Sequence, residues 1–272
     1  MKAGIVLLKR FFKDLKRYKN YVFYATGSEL KADVAGSFLS WIWWILDPLL
    51  YMMVYSFVAA IVFKSGTPAF PVFVFIGINC WQFFSKTVKS SVRLVSAKKG
   101  IVTKIYVPKH VFILEKMGIN GFKMLISFAI TAVFMIAYQV PVNFNILMLI
   151  PLLIILFIVT FAVSIIMMHF GVFIEDLSNV VTVVLQLGFY LSGIFYSIDG
   201  KLGGRLLGQV LIYGNPVALV MSDMRYAMMG ETLGYGEFHF LALGIWAVIG
   251  LLVSWIGIRV IYKFENSYVK II

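Results

Sequence analysis

Apolar residues run unbroken for long stretches of this chain, and the charged residues are gathered into the gaps between them. Six such stretches stand out: Phe38–Phe63, Ala69–Ser85, Met117–Tyr138, Phe144–Ile174, Leu177–Ile198 and Phe238–Ile258. About 20 apolar residues at 1.5 Å rise cover the roughly 30 Å of a bilayer's hydrocarbon core, so each stretch predicts a membrane-crossing helix. Barrel strands would alternate at every second residue, and these runs do not. Residues 5–23 carry a different period: Leu8, Phe11, Phe12, Leu15, Tyr18 and Val22 recur at helical spacing against Lys9, Lys13, Lys16 and Arg17. That pattern predicts an amphipathic helix lying in the headgroup plane. A short polar stretch, Ser28–Gly36, follows it.

Two further segments are apolar but too short to cross. Leu202–Tyr213 and Val217–Met229 lie between the fifth and sixth runs, punctuated by Gly200, Gly203, Gly204, Gly208, Gly214, Asn215-Pro216 and Gly230. Short apolar helices with such breaks predict a re-entrant pair, over about 202–229, dipping into the outer leaflet. The expected architecture is therefore all-α and polytopic. It comprises an N-terminal interface region (1–36) and a six-span domain (37–272) with two short re-entrant helices between spans 5 and 6.

Composition agrees: 61% of residues are hydrophobic and 13% charged, against about 45–50% and 25% in soluble domains. The net charge of +12 would suit nucleic acid, but its distribution argues against that. Residues 1–36, 86–123 and 259–272 hold 20 of the 24 Lys and Arg. In a six-span topology these zones share one side, which the positive-inside rule makes cytoplasmic, with both termini. No cleavable signal peptide is expected. The single cysteine, Cys80, offers neither a disulfide nor a thiolate cluster.

Candidate chemistry is sparse. No GxxxxGK[ST] phosphate loop, HExxH or GxSxG occurs. Glu175-Asp176 with His169 is the one grouping a membrane glycosyltransferase or phosphatase could use, and it lacks the neighbouring cations that diphosphate chemistry wants. No metal site is expected. Asp47-Pro48 lies inside the first run, where the carboxylate is expected to satisfy backbone donors freed near the proline. Lys116 and Lys123, near the start of span 3, are expected to snorkel. The loop Lys86–Lys109 is dense in cations, and a short helix over about 97–107 mixes them with an Ile101/Ile105/Tyr106 face. That mixture suits docking into a groove of a soluble partner.

Several of these segments resemble the polysaccharide ABC-export permeases. Ser37–Leu50 is similar to their first-span motif S-x-L-G-x-L-W-x-x-L-x-P-L. Lys99–Pro108 looks like their coupling-helix motif N-A-x-L-I-x-K-V-Y-F-P. Tyr190–Tyr196 resembles L-S-P-I-x-Y, and Asn215-Pro216 through Tyr226 resembles N-P…F-R. The departures are Gly193 for proline, Gly100, and Ala32–Ala35 in place of a basic-aromatic pair.

The resemblance covers nearly the whole chain, in order. It implies a homodimeric, non-enzymatic permease carried by two ABC ATPase subunits, with ATP and Mg held on those partners and no cofactor in this chain. It implies export of an undecaprenyl-diphosphate-linked polysaccharide across the bacterial cytoplasmic membrane. Overall likeness favours the teichoic acid translocation permease. An O-antigen permease, another lipid-linked glycan exporter, or a small-molecule or lipid exporter is the alternative. The ATPase-coupling residues are then expected to be Lys98, Lys99, Ile101, Lys104, Ile105, Tyr106 and Pro108. Trp41, Trp44, Tyr51, Tyr55, Phe189, Tyr190, Phe195 and Tyr196 are expected to line the substrate path, since flat aromatic surface suits sugar rings. Lys9, Lys13, Lys16 and Lys31, with Lys98, are expected to draw in the diphosphate.

Overall fold

The computed structural model describes residues 2–35, 40–61, 69–198, 205–233 and 236–271, and among these it is helical, without strands. The expected first-span start at 36–39, the span's end at 62–63, the loop 64–68 and the glycine-rich 199–204 lie outside the described residues.

The helices are α1 (Lys2–Ala35), α2 (Trp43–Ile61), α3 (Phe70–Val92), the single turns α4 (Leu94–Ala97) and α5 (Lys99–Val102), and α6 (Lys109–Ala137). They continue with α7 (Leu149–Phe173), α8 (Leu177–Leu191), α9 (Leu206–Tyr213), α10 (Pro216–Leu233) and α11 (Phe240–Ile271). The spans Lys109–Ala137, Phe144–Phe173 and Phe240–Tyr268 are long and apolar enough to cross a membrane. The apolar parts of α2 (Trp43–Val54) and α8 (Leu177–Leu191) are shorter. The 15 residues of α8 extend about 22 Å, less than the hydrocarbon core.

α3 is the centre of the bundle. Every residue from Val72 to Trp81 is buried, as expected for a helix that is apolar all round. It packs against α6, α7, α10 and α2, and it runs past the predicted Ser85 through Lys86 and Lys89 to Val92. α10 is buried almost throughout, in protein rather than lipid, and is longer than the predicted 217–229. Asn215 explains where it starts: its side-chain oxygen accepts from the N–H groups of Val217 and Ala218 at 3.0 and 3.3 Å. It is an N-cap with proline at the first helical position.

Arg225 on α10 ties the bundle together. Its guanidinium donates to the carbonyls of Phe73, Gly193 and Ile194 at 3.0, 2.8 and 2.8 Å and lies 3.5 Å from the centroid of the Phe73 ring. Gly193 has φ +71°. Proline, fixed near −65°, could not take that conformation, which accounts for the glycine at this point of the motif. Two residues before Arg225, buried Asp223 accepts from the backbone N–H of His239 at 3.0 Å and contacts its Nδ1 at 2.7 Å, fixing the approach to α11.

α1 departs from expectation in two ways. It continues as helix through the supposed polar stretch to Ala35. Its inward face is also rotated: Leu7, Phe11, Tyr18, Tyr21 and Val22 pack on the core, whereas Phe12 is exposed. The helix packs on α6, with Tyr21 against Phe112 at 6.2 Å. Protein contact, and not a lipid face alone, sets its orientation.

α7 and α11 pack along each other. A Cβ on Gly257 would come within 2.4 Å of Ile165 Cγ2, and one on Gly250 within 2.8 Å of Ile158 Cγ2. Small residues here let two apolar helices approach closely. Gly257→Val should therefore cost about 1–3 kcal/mol through overpacking. Thermal unfolding of the detergent-purified chain is expected to show a lowered midpoint, and an unchanged midpoint would mean that Ile165 moves aside freely.

Candidate functional site

Lys98 interrupts the predicted docking helix. With φ −97° and ψ 18° it separates α4 from α5, so residues 94–107 form two single turns and an extended exit, and the helix expected over about 97–107 is not continuous. The reason lies beneath it. The Lys98 ammonium contacts Glu115 on α6 at 2.5 Å and Glu29 on α1 at 3.5 Å. Glu115 is buried, and Glu29 also pairs with Lys116. Thr26 donates to the Glu115 carbonyl at 3.4 Å, and Lys123 pairs with Asp33 at 2.7 Å. Lys116 and Lys123 thus hold carboxylates on α1, and they do not snorkel as expected.

A second set of contacts secures the other end of α1. Arg10 donates to the Tyr106 hydroxyl at 2.7 Å and pairs with Glu265 of α11 at 2.9 Å. Its guanidinium also lies 4.0 Å from the Tyr262 ring centroid. Tyr262 donates to Asp14 at 2.7 Å, and Tyr18 donates to the Tyr106 carbonyl at 3.0 Å. The N-terminal helix, the loop before α6 and the end of α11 therefore form one braced assembly.

The predicted coupling residues divide around this brace. Lys99, Lys104, Ile105 and Tyr106 are exposed. Ile101 is half-buried against the core, and Pro108 is buried as the residue that starts α6. Lys98 points inward, so neither a docking partner nor a diphosphate finds its charge free. Burial lowers the Lys98 pKa, but Glu115 and Glu29 raise it further, for a net upward shift. Burial raises that of Glu29, but Lys116 and other neighbours outweigh it, for a net downward shift. Burial first, and then Glu265, push Tyr106 up to about 12, so its hydroxyl stays neutral.

Lys9, Lys13 and Lys16 share an outward face of α1. Lys31 is exposed too, but the 15 residues from Lys16 amount to about 22 Å of helix. No single diphosphate can touch all four.

The predicted aromatic lining also divides. Asn79, Gln82, Phe83 and Lys86 of α3 face α2, whereas Trp81, Phe84 and Val88 face α8. At 100° per residue these are opposite faces of α3. On the α2 side Trp41 is exposed, and half-buried Trp44 meets Phe122 edge-on at 5.9 Å. Tyr51 is exposed on α2, and the side chain of Tyr55 lies outside the described residues. On the α8 side Tyr190 is exposed. Phe189 packs on Trp81 and Phe195 at 6.3 and 5.3 Å, and half-buried Tyr196 donates to the Tyr190 carbonyl at 3.4 Å. Asp47 is exposed and forms no hydrogen bond to backbone donors among the described residues, contrary to expectation.

The acidic turn is not assembled for catalysis. His169 bonds Tyr268 at 2.7 Å and is ringed by Phe170, Phe173 and Phe264. Glu175 and Asp176 are exposed, and no metal-binding group of His, Cys, Asp or Glu occurs among the described residues.

Two outcomes are expected of this geometry. Lys98→Ala leaves the Glu115 carboxylate buried without its counter-ion, at a cost of about 3–5 kcal/mol. The additional change Glu115→Gln should restore much of the lost thermal stability. As for pH, Glu29, with its lowered pKa, stabilises the brace above its unfolded value of about 4.3, and that stability is lost as pH falls through the folded value. Lys98, with its raised pKa, stabilises it below about 10.4, and that is lost as pH rises through the folded value. Amide exchange of residues 25–35 is expected to be slowest between about pH 5 and 10 once corrected for intrinsic rates. Protection lost in the middle of that window would refute the assignment.

No protein-family model matches the chain. Comparison with curated proteins finds it similar to O-antigen export system permease proteins named RfbA. It is 27% identical over 248 residues to one from Klebsiella pneumoniae, covering 91% of this chain and 93% of that protein. A second from Klebsiella pneumoniae is 26% identical over the same length. One from Myxococcus xanthus is 27% identical over 214 residues, covering 79% of this chain and 82% of that protein. With its membrane-length helices and permease relatives, the chain is a multi-pass membrane protein.

Proposed function

We propose that the chain is the membrane permease of an ATP-driven export system that moves a lipid-linked polysaccharide across the bacterial cytoplasmic membrane. The observation that carries this reading is similarity to O-antigen export permeases over 91% of the chain and 93% of the relative. The absence of a phosphate loop leaves ATP hydrolysis to a separate subunit. The relatives favour an O-antigen type of glycan, while the overall likeness set out above leaves a wall teichoic acid as the second reading.

In this reading both termini are cytoplasmic, α2, α3, α6, α7, α8 and α11 make six crossings, and α9 and α10 form the re-entrant pair. The ATPase docks on the outward face of residues 99–106. Because the aromatic residues of α2 and α8 lie on opposite faces of α3 within one chain, a continuous aromatic wall needs a second copy. The exposed face of α2 from one copy meets the α8 face of the other, and the polymer passes between them. Lys9, Lys13 and Lys16 attract anionic headgroups to the cytoplasmic surface.

Co-expression with candidate ATPase subunits, followed by co-purification and hydrolysis assays with O-antigen-type and teichoic-acid-type lipid-linked glycans, tests the reading. A two-plus-two complex stimulated by one of these glycans is expected, and failure to associate with any ATPase would overturn it. Ile105→Glu places a charge on the most outward apolar position of the docking surface, with few internal contacts to lose. It should abolish co-purification or most of the stimulated hydrolysis without lowering thermal stability. Retention of both would remove this loop from the interface.

A further inference from the structure

A cleft of about 120 Å³ lies where α2, α3 and α6 meet, apart from the docking surface. Asn79 is buried in it, and its amide donates to the Thr131 hydroxyl at 3.1 Å. Asn120 donates to the Thr87 hydroxyl at 2.9 Å. Each amide is thereby fixed in orientation, and no hydrogen bond is formed to its carbonyl oxygen among the described residues. Gln82 of α3 also lines the cleft and makes no hydrogen bond among the described residues. Trp44 forms an aromatic wall, with the Lys123 ammonium 5.7 Å from its ring centroid, while Asp47 and Lys86 are exposed in the lining.

So many amides and charges beside membrane-embedded helices are costly unless they are used. The charges nearly balance: Lys86 shares the cleft with Asp47, and Lys123 pairs with Asp33 at 2.7 Å. The site is therefore not built for an anion alone. Three amides and a carboxylate around a flat indole supply donors, acceptors and an apolar face together, which is what a polyhydroxylated ring requires. α2 also begins here, and in the six-span topology that places the cleft toward the cytoplasmic side, where a newly made glycolipid would present its head.

The geometry points to a single-sugar site that holds the ring nearest the lipid anchor of the exported glycan. This rests on the export reading above. The ring hydroxyls donate to Asp47 and to the carbonyl oxygens of Asn79 and Asn120, and accept from Gln82. The C–H face of the ring packs on Trp44, and the anchor phosphate is left beside Lys86.

The test uses the full chain in lipid nanodiscs and two probes. One is a polyprenyl diphosphate bearing a single N-acetylhexosamine, and the other is the same polyprenyl diphosphate without sugar. The wild-type chain is expected to bind the sugar-bearing lipid about tenfold more tightly, the scale of one or two net hydrogen bonds. Gln82→Ala and Asn120→Ala should each remove most of that preference, whereas Lys86→Ala should weaken both lipids by a similar factor. Gln82→Ala breaks no hydrogen bond among the described residues, so it reads the site without a folding defect. A preference that survives both amide variants, or equal binding of the two lipids by the wild type, overturns the sugar site and leaves the export reading standing. A wild-type chain that binds neither lipid overturns both.

Discussion

The buried carboxylate of Glu115 is the constraint on which the cytoplasmic half of the molecule depends. An ion held out of water needs a counter-ion within contact distance. Lys98 supplies one at 2.5 Å, and the backbone between α4 and α5 is broken so that it can. Glu29 shares the same lysine and takes Lys116 as well, which commits α1 to lie across α6. An amphipathic helix that could otherwise float on lipid is thereby fixed to the protein. The second clamp, through Arg10, Tyr106 and Glu265, extends the brace to the last helix.

This brace has a mechanical consequence. The exposed residues of the loop, Lys99, Lys104, Ile105 and Tyr106, sit on the same short segment whose Lys98 and Tyr106 hold α1. A partner that pushes on this loop pushes through ion pairs and not through a flexible connection. The force passes to α6, which Pro108 starts directly behind the loop, and to α1 and α11 at the same moment.

A different logic holds the opposite half. Arg225 donates to the carbonyls of Gly193 and Ile194 in the irregular chain after α8, and to that of Phe73 within α3. Asp223 accepts from the backbone N–H of His239 at the approach to α11. Both charges are buried, Arg225 on backbone carbonyls and Asp223 on the backbone and side chain of His239, so α10 is a structural plug that lets irregular chain exist beside apolar helices. A separate set of polar side chains, with Gln82 and Asn120 beside Trp44, lines the cleft between α2, α3 and α6.

The helical class, the long apolar segments, the amphipathic start and the existence of two helices before α11 were legible in the sequence, because the bilayer acts on each segment by its local apolarity. The second of those helices, however, runs to 18 residues and is not short. The exposed Ile105 and Tyr106 of the loop before α6 were legible as an apolar face among cations. Partners in space were not. Glu29 and Asp33 are i, i+4 on α1, and Lys116 and Lys123 are i, i+7 on α6, a matching stripe that could have suggested the pairing. A lysine near an apolar run, however, reads equally well as one that snorkels. The rotated face of α1, the break at Lys98, the burial of α10 and the division of the aromatic patches between opposite faces of α3 were decided only by tertiary structure. Periodicity fixes which residues share a helix face, but which face meets which neighbour depends on contacts between residues as far apart as Arg10 and Glu265.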